Sequence, residues 1–173
     1  MNAKIDFASL TLKDALDLAI LIEEEAKERY SEFVDQMVVH RTPEAAEFFR
    51  DMVHNESRHE FELTDRRQAL FPDAPRAVTL EQLYEVEAPD YDQTRVFMSA
   101  RQAMEVALRS EIKAHDFFTA AIPHVQDPEV RALFEELRAE ELEHQRLVRA
   151  EINKLPPDPE IDPEHFADEP TPH

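Results

Sequence analysis

The sequence predicts an all-α protein, a single four-helix bundle, and three observations predict it. The 173 residues include no glycine and no cysteine. Apolar residues recur at helical spacing along four long stretches, and those stretches repeat one another in pairs. A chain of this length and 42% hydrophobic content forms one domain that buries roughly 70% of its unfolded surface. Residues 1–155 are assigned to the bundle and residues 156–173 to a tail.

Thr11 with Asp14 resembles a capping box and opens the first helix, which runs to about His40 without meeting a proline. Its core spacing reads Leu16, Ala19, Glu23, Ala26, Tyr30, Phe33, Met37, an apolar seam with one carboxylate in the middle. Thr42, Pro43 and Glu44 start the second helix. Proline suits the first helical position because its missing N–H has no partner there, and an early glutamate favours the helix dipole. This helix ends near Leu70, before Pro72, and its seam is Ala45, Phe49, Met52, Glu56, His59, Leu63. The third helix spans about Gln93 to Ile122 and is stopped by Pro123. Its seam, Met104, Ala107, Glu111, Ala114, Phe118, Ala121, repeats the first one 88 residues later, Glu23 to Glu111. Asp127, Pro128 and Glu129 repeat the earlier start signal and open the fourth helix, which stops before Pro156. Val130, Phe134, Leu137, Glu141, His144, Val148 then repeats the second seam 85 residues on, Glu56 to Glu141.

Loop lengths set the topology. The short joints between helices one and two and between three and four make each pair an antiparallel hairpin. The connection from about residue 71 to 93, with a short helical candidate at Leu80 to Val86, is long enough to cross the bundle and set helix three parallel to helix two. One long crossover between helices two and three is the ferritin-like arrangement. Two hairpins exchanged between the chains of a dimer would make the same contacts.

Composition excludes several functions. Without glycine there is no phosphate-cradling loop or dinucleotide fingerprint. Without cysteine there is no disulfide, thiolate zinc site, iron-sulfur centre or thiol nucleophile, so a metal must be held by oxygen and imidazole nitrogen. A formal charge of −20 opposes nucleic acids and anionic membranes and attracts cations. Met1 to Leu10 carries no apolar leader, and no run of about 18 apolar residues occurs; a cytoplasmic protein is expected. The tail holds six of the twelve prolines and few apolar residues, a composition that favours disorder, with His165 and His173 in solvent.

The chemistry lies in the seam carboxylates. A buried, unpaired carboxylate costs several kcal/mol and needs a partner, yet Glu23, Glu56, Glu111 and Glu141 each occupy a core position. His59 and His144 follow two of them at i+3, so one helix can aim both side chains the same way. Four carboxylates and two imidazoles suit iron(II), manganese(II) or zinc(II), and two divalent ions balance the four charges. A Glu from each of two helices and Glu-x-x-His from the other two is the pattern of di-iron carboxylate bundles. Tyr30, two turns beyond Glu23, is either a core aromatic with a satisfied hydroxyl or a partner and electron relay for a site carboxylate. His54 and His115 lie off the seams, and Glu140 and Glu143 flank Glu141 but point elsewhere; Glu140 is a second choice should the helix rotate locally.

Over residues 11–155 the chain resembles the rubrerythrin branch of the ferritin-like superfamily. The resemblance is carried by Glu23-Glu-Glu-Ala26 followed by Tyr30, Glu56-Ser-Arg-His59, Glu111-Ile-Lys-Ala114 followed by Phe118, and Glu141-Leu-Glu-His144. It implies two iron ions per chain, with Glu23, Glu56, Glu111 and Glu141 as carboxylate ligands and bridges and His59 and His144 as imidazole ligands. It also implies reaction with dioxygen or hydrogen peroxide and a homodimer or larger homo-oligomer. Two features depart from the family. There is no cysteine-ligated rubredoxin domain, so any electron donor is external, and Ala114 stands where the family places a second helix-three carboxylate. Both favour iron(II) oxidation over peroxidase cycling. A non-catalytic bundle that buffers iron or zinc is the competing reading, and a purely architectural polar core is a third.

Overall fold

The computed structural model describes residues 5–76, 78 and 99–157. Four α-helices carry the fold: α1 Leu12–Val39, α2 Pro43–Leu70, α3 Ala100–Ala121 and α4 Pro128–Ile152, with a 3-10 turn at Ile122–His124 between the last two. No strand occurs among the described residues, and no helix there is long and apolar enough to cross a membrane.

The helix starts follow local chemistry. Thr11 Oγ1 accepts from the Asp14 amide at 3.2 Å, and Asp127 accepts from the amides of Glu129 and Val130, each satisfying amide groups that the first turn leaves without partners. Thr42 sits at the N-cap of α2 but makes no side-chain cap; its hydroxyl donates back to the Met37 carbonyl at 3.1 Å, tying the end of α1 to the start of α2. Helix α3 begins at Ala100, where Ser99 and Gln102 close a complete capping box; the expected start near Gln93 lies outside the described residues. The short helical candidate at Leu80 to Val86 and the tail from residue 158 onward lie outside the described residues.

The α1–α2 turn shows what a chain without glycine must do. Arg41 takes the left-handed conformation at φ 56°, while the Thr42 amide bonds the Met37 carbonyl and the Arg41 amide that of Val38. This is the helix-ending motif that usually recruits glycine, and an L-residue there costs about 1–2 kcal/mol.

Cross-helix pairs fix the directions. Asp17 meets Arg67 and Tyr30 stacks with Phe49, so α1 and α2 are antiparallel. Phe118 packs on Phe134 and Arg101 reaches the Ile152 carbonyl, so α3 and α4 are antiparallel as well. One apolar cluster joins Leu12 to Ile22 with Leu63, Phe118 and Val130 to Leu137, and a second joins Tyr30, Phe33 and Met37 with Ala45 to Met52, Ala103 to Ala107 and Val148. The C-terminal part of α2 therefore lies beside the C-terminal part of α3, and those two helices run parallel. This is the ferritin-like bundle that a long crossover between α2 and α3 produces.

Every residue from Ala15 to Glu23 is buried, more than a one-sided seam requires. Phe71 and Val78 pack on the first cluster beside Ile5, Phe7 and Leu10, so the chain leaving α2 covers the outer face of α1. Arg67 anchors that cover: its guanidinium donates to Asp17, to the carbonyl of Phe71 and to that of Ala74. Arg76 adds a two-pronged ion pair with Glu24 at 3.0 and 3.1 Å.

Candidate metal centre

Between the two apolar clusters lies a polar layer. Glu23, Glu56, His59, Glu111, Glu141 and His144 are all buried, with exposures of 2–7%, each placed by its seam position at mid-helix. The polar atoms of such a layer must satisfy one another or bind something else.

Donor atoms converge in three overlapping groups, within each of which all lie no more than 4.8 Å apart: Glu56, His59 and His144; Glu111, Glu141 and His144; and Glu23, His59 and Glu140. All six residues singled out on the seams thus meet in one layer. Glu140 joins them, although the sequence pattern aimed it elsewhere. The signal for it was present in the consecutive pair Glu140-Glu141, because α4 packs against more than one helix and residues on either side of a seam can both face inward.

Several contacts position the layer. The Tyr30 hydroxyl donates to Glu111 Oε1 from a fully buried ring stacked 5.9 Å from Phe49. Tyr30 is therefore both the core aromatic and the carboxylate partner that the sequence left as alternatives. His144 Nδ1 lies 3.4 Å from both Glu56 Oε1 and Glu111 Oε2, and the His59 and His144 rings stack at 5.4 Å, 9° from parallel. Buried Gln145, which the sequence reading passed over, donates from Nε2 to the Glu111 carbonyl at 3.2 Å. On the outer side, Arg58 lies 3.3 Å from His59 Nε2, and Lys27 pairs with Glu60 across α1 and α2. His54 is exposed and His115 half-buried, as expected for positions off the seams.

The electrostatics are uneven. Burial pushes the Glu56 carboxyl well above the usual range, and Glu23 and Glu111 push it the same way while His144 opposes. Burial would raise Glu111 as well, but hydrogen bonds from His144, Glu141 and Tyr30 hold it far below. His144 is raised to about 9: burial opposes its charge, yet the Glu111 hydrogen bond and the Glu56 charge overcome it. His59 goes the other way, to about 4, through burial and the nearby His144 and Arg58 charges. Burial, Glu111 and Glu56 all raise the Tyr30 hydroxyl, which keeps its proton.

Two atoms test whether the layer suits a metal. Glu56 Oε1 and His59 Nδ1 are buried without a hydrogen-bond partner; Glu56 Oε1 is within ion-pair range of His144 but not hydrogen-bonded to it. Each such atom costs about 1–3 kcal/mol. A cation coordinated by them removes that cost, and carboxylate oxygen with imidazole nitrogen is a donor set for divalent iron, manganese or zinc. The residues present fit a metal.

A ferritin-like bundle with a buried carboxylate and histidine layer defines a class, the metal-binding helical bundles. The particular family follows from comparison with known proteins: the rubrerythrin family model matches residues 14–152 and again residues 102–171, and the chain belongs to the rubrerythrin family. Among solved structures, the chain is similar to an uncharacterized conserved protein from Magnetospirillum magnetotacticum MS-1, at 31% identity and a TM-score of 0.72, covering 88% of this chain and 100% of that one. No curated protein matches it.

Proposed function

We propose that this is a di-iron carboxylate protein that oxidises iron(II) with dioxygen or hydrogen peroxide, in iron handling or oxidative-stress defence. The observation that carries the reading is the pair of unpartnered buried donors, Glu56 Oε1 and His59 Nδ1, inside overlapping three-residue groups. Glu23 and His59 would hold one ion and Glu111, Glu141 and His144 the other, with Glu56 available to both. Manganese or zinc satisfies the same donors.

Iron(II) bound there would supply the electrons, two ions for the two-proton reduction of one hydrogen peroxide to two waters or of one dioxygen to hydrogen peroxide. The chain's own residues set the conditions. The apolar clusters above and below the layer exclude bulk water, which strengthens each charge interaction inside. Tyr30 and Gln145 hold the Glu111 segment in place, and the Tyr30 hydroxyl is positioned to relay an electron. Because the chain has no cysteine, a separate donor returns electrons where turnover requires them. We place the protein in the cytoplasm as a homodimer or larger homo-oligomer.

The test is an anaerobic iron(II) titration of the metal-free protein, followed by mixing with each oxidant. Two irons per chain, lost in Glu56→Ala and oxidised on mixing, are expected. Tight binding of two ions with no reaction would replace this reading with metal buffering, and no specific binding would leave an architectural polar core.

A further inference from the structure

The two halves of the polar layer are not equivalent. The sequence repeat pairs Glu23 with Glu111, Glu56 with Glu141 and His59 with His144, so a symmetric layer would build both halves from the same three positions. One half does so, with Glu111, Glu141 and His144 converging. In the other half, Glu23 and Glu56 both approach His59 Nδ1, at 3.8 and 4.0 Å, and Glu140 of α4 converges with Glu23 and His59 in addition. The repeat counterpart of Glu140, 85 residues earlier, is Asn55, whose carboxamide carries no charge. The duplicated hairpins have therefore diverged at this position: α4 offers consecutive carboxylates where its repeat counterpart α2 has Asn55 and Glu56. Successive residues on a helix point about 100° apart, so Glu141 serves one half of the layer and Glu140 the other.

We infer that Glu140 is a carboxylate donor to the divalent cation held by Glu23 and His59; the inference rests on the two-ion reading above. A second observation points to a ligand in this half. The His59 side chain is 8% exposed, and its Nδ1 has no hydrogen-bond partner and lies 3.8 Å from Glu23 Oε2. Glu140 is half-buried. A carboxylate so placed gains from a cation and little from solvent. With Glu140 engaged, the Glu23 half has two oxygens and one nitrogen of its own before Glu56 is shared.

The test is an anaerobic iron(II) titration of the full-length chain and two variants, read as stoichiometry and affinity. Glu140→Gln keeps the shape and removes the charge, whereas Glu143→Gln removes an exposed neighbour on the same helix. Expected are two ions in the unsubstituted chain and in Glu143→Gln, and in Glu140→Gln one unchanged ion and one weakened tenfold or more. Two ions bound by Glu140→Gln with unchanged affinity would overturn the assignment and leave the two-ion reading standing. No iron bound by the unsubstituted chain would overturn both. Should Glu140→Gln not fold, Glu140→Asp retracts the oxygens by one methylene and is expected to weaken the same single ion; unchanged affinity there overturns the assignment equally.

Discussion

The imidazole rings of His59 and His144 stack at 5.4 Å, 9° from parallel, yet the two rings titrate in opposite directions. His144, facing Glu56 and Glu111, is raised to about 9, whereas His59 is depressed to about 4. In the metal-free protein at pH 7 His144 is therefore protonated and His59 neutral. A cation needs both imidazoles free of charge, so His144 gives up a proton on metal binding and His59 does not. Proton release, read by titrating zinc(II) calorimetrically in buffers of different ionisation enthalpy, is expected to decline above pH 9, with apparent affinity rising up to that point. The stability signs follow. The raised His144 value stabilises the metal-free fold fully below about pH 6.5, and that is lost as pH rises through about 9. The depressed His59 value costs stability as pH falls from 6.5 toward 4. Release that does not change between pH 7 and 10 would contradict the assignment.

Glu56 sits in the middle of the layer with one oxygen unpartnered and its carboxyl pushed upward chiefly by burial. Such a group serves ligand binding at the expense of the empty fold. Glu56→Leu, close in volume, is expected to raise the stability of the metal-free protein by about 1–3 kcal/mol, the cost of a buried oxygen without a hydrogen bond, while removing metal binding, since His144 keeps Glu111 as its partner. Chemical unfolding without metal, paired with a titration, checks both halves. A less stable metal-free variant would show that Glu56 is an architectural partner.

What was legible in the sequence and what was not divide along physical lines. The seam period placed all six layer residues, and capping chemistry placed Thr11 and Asp127, because both are local. Ser99 and Gln102 were equally local, and their capping box sets the start of α3 at Ala100. Glu140 ranked only as a second choice because one seam per helix assumes one packing partner. Asp17 and Arg67 escaped because what buries them is the chain leaving α2, and no helical period encodes a covering segment.

Tyr30 offers a separable role. Tyr30→Phe keeps the stack on Phe49 and removes only the hydroxyl that donates to Glu111. A hydrogen bond to a charged group is worth about 1.5–3 kcal/mol, and losing the group that orients a ligand weakens metal affinity about ten- to a hundredfold. The variant is expected to lose that stability and affinity while still binding two irons. Rapid mixing at saturating iron(II) then isolates the relay: slower oxidation assigns it to the hydroxyl, and an unchanged rate confines Tyr30 to holding Glu111.

Asp17 and Arg67 form an ion pair at 2.8 Å with the aspartate fully buried, and Lys13 reaches the other oxygen at 2.8 Å. Burial would raise Asp17, but the hydrogen bonds from Arg67 and Lys13 win and hold it below its ordinary 3.8. A depressed carboxyl stabilises the fold above about pH 3.8, and that contribution is lost as pH falls through the folded value. Removing one partner of a buried pair costs about 3–5 kcal/mol. Asp17→Asn should lie at the low end, about 3 kcal/mol, because Arg67 keeps its bonds to the Phe71 and Ala74 carbonyls. The loss is expected in full at pH 7 and to shrink as melts are taken progressively below pH 3.8, as the unsubstituted protein loses the same interaction. A difference that stays constant with pH would mean that Asp17 acts by shape and not by charge. Because Arg67 also ties down the start of the crossover, limited proteolysis near residues 71–76 should speed up in the variant at pH 7.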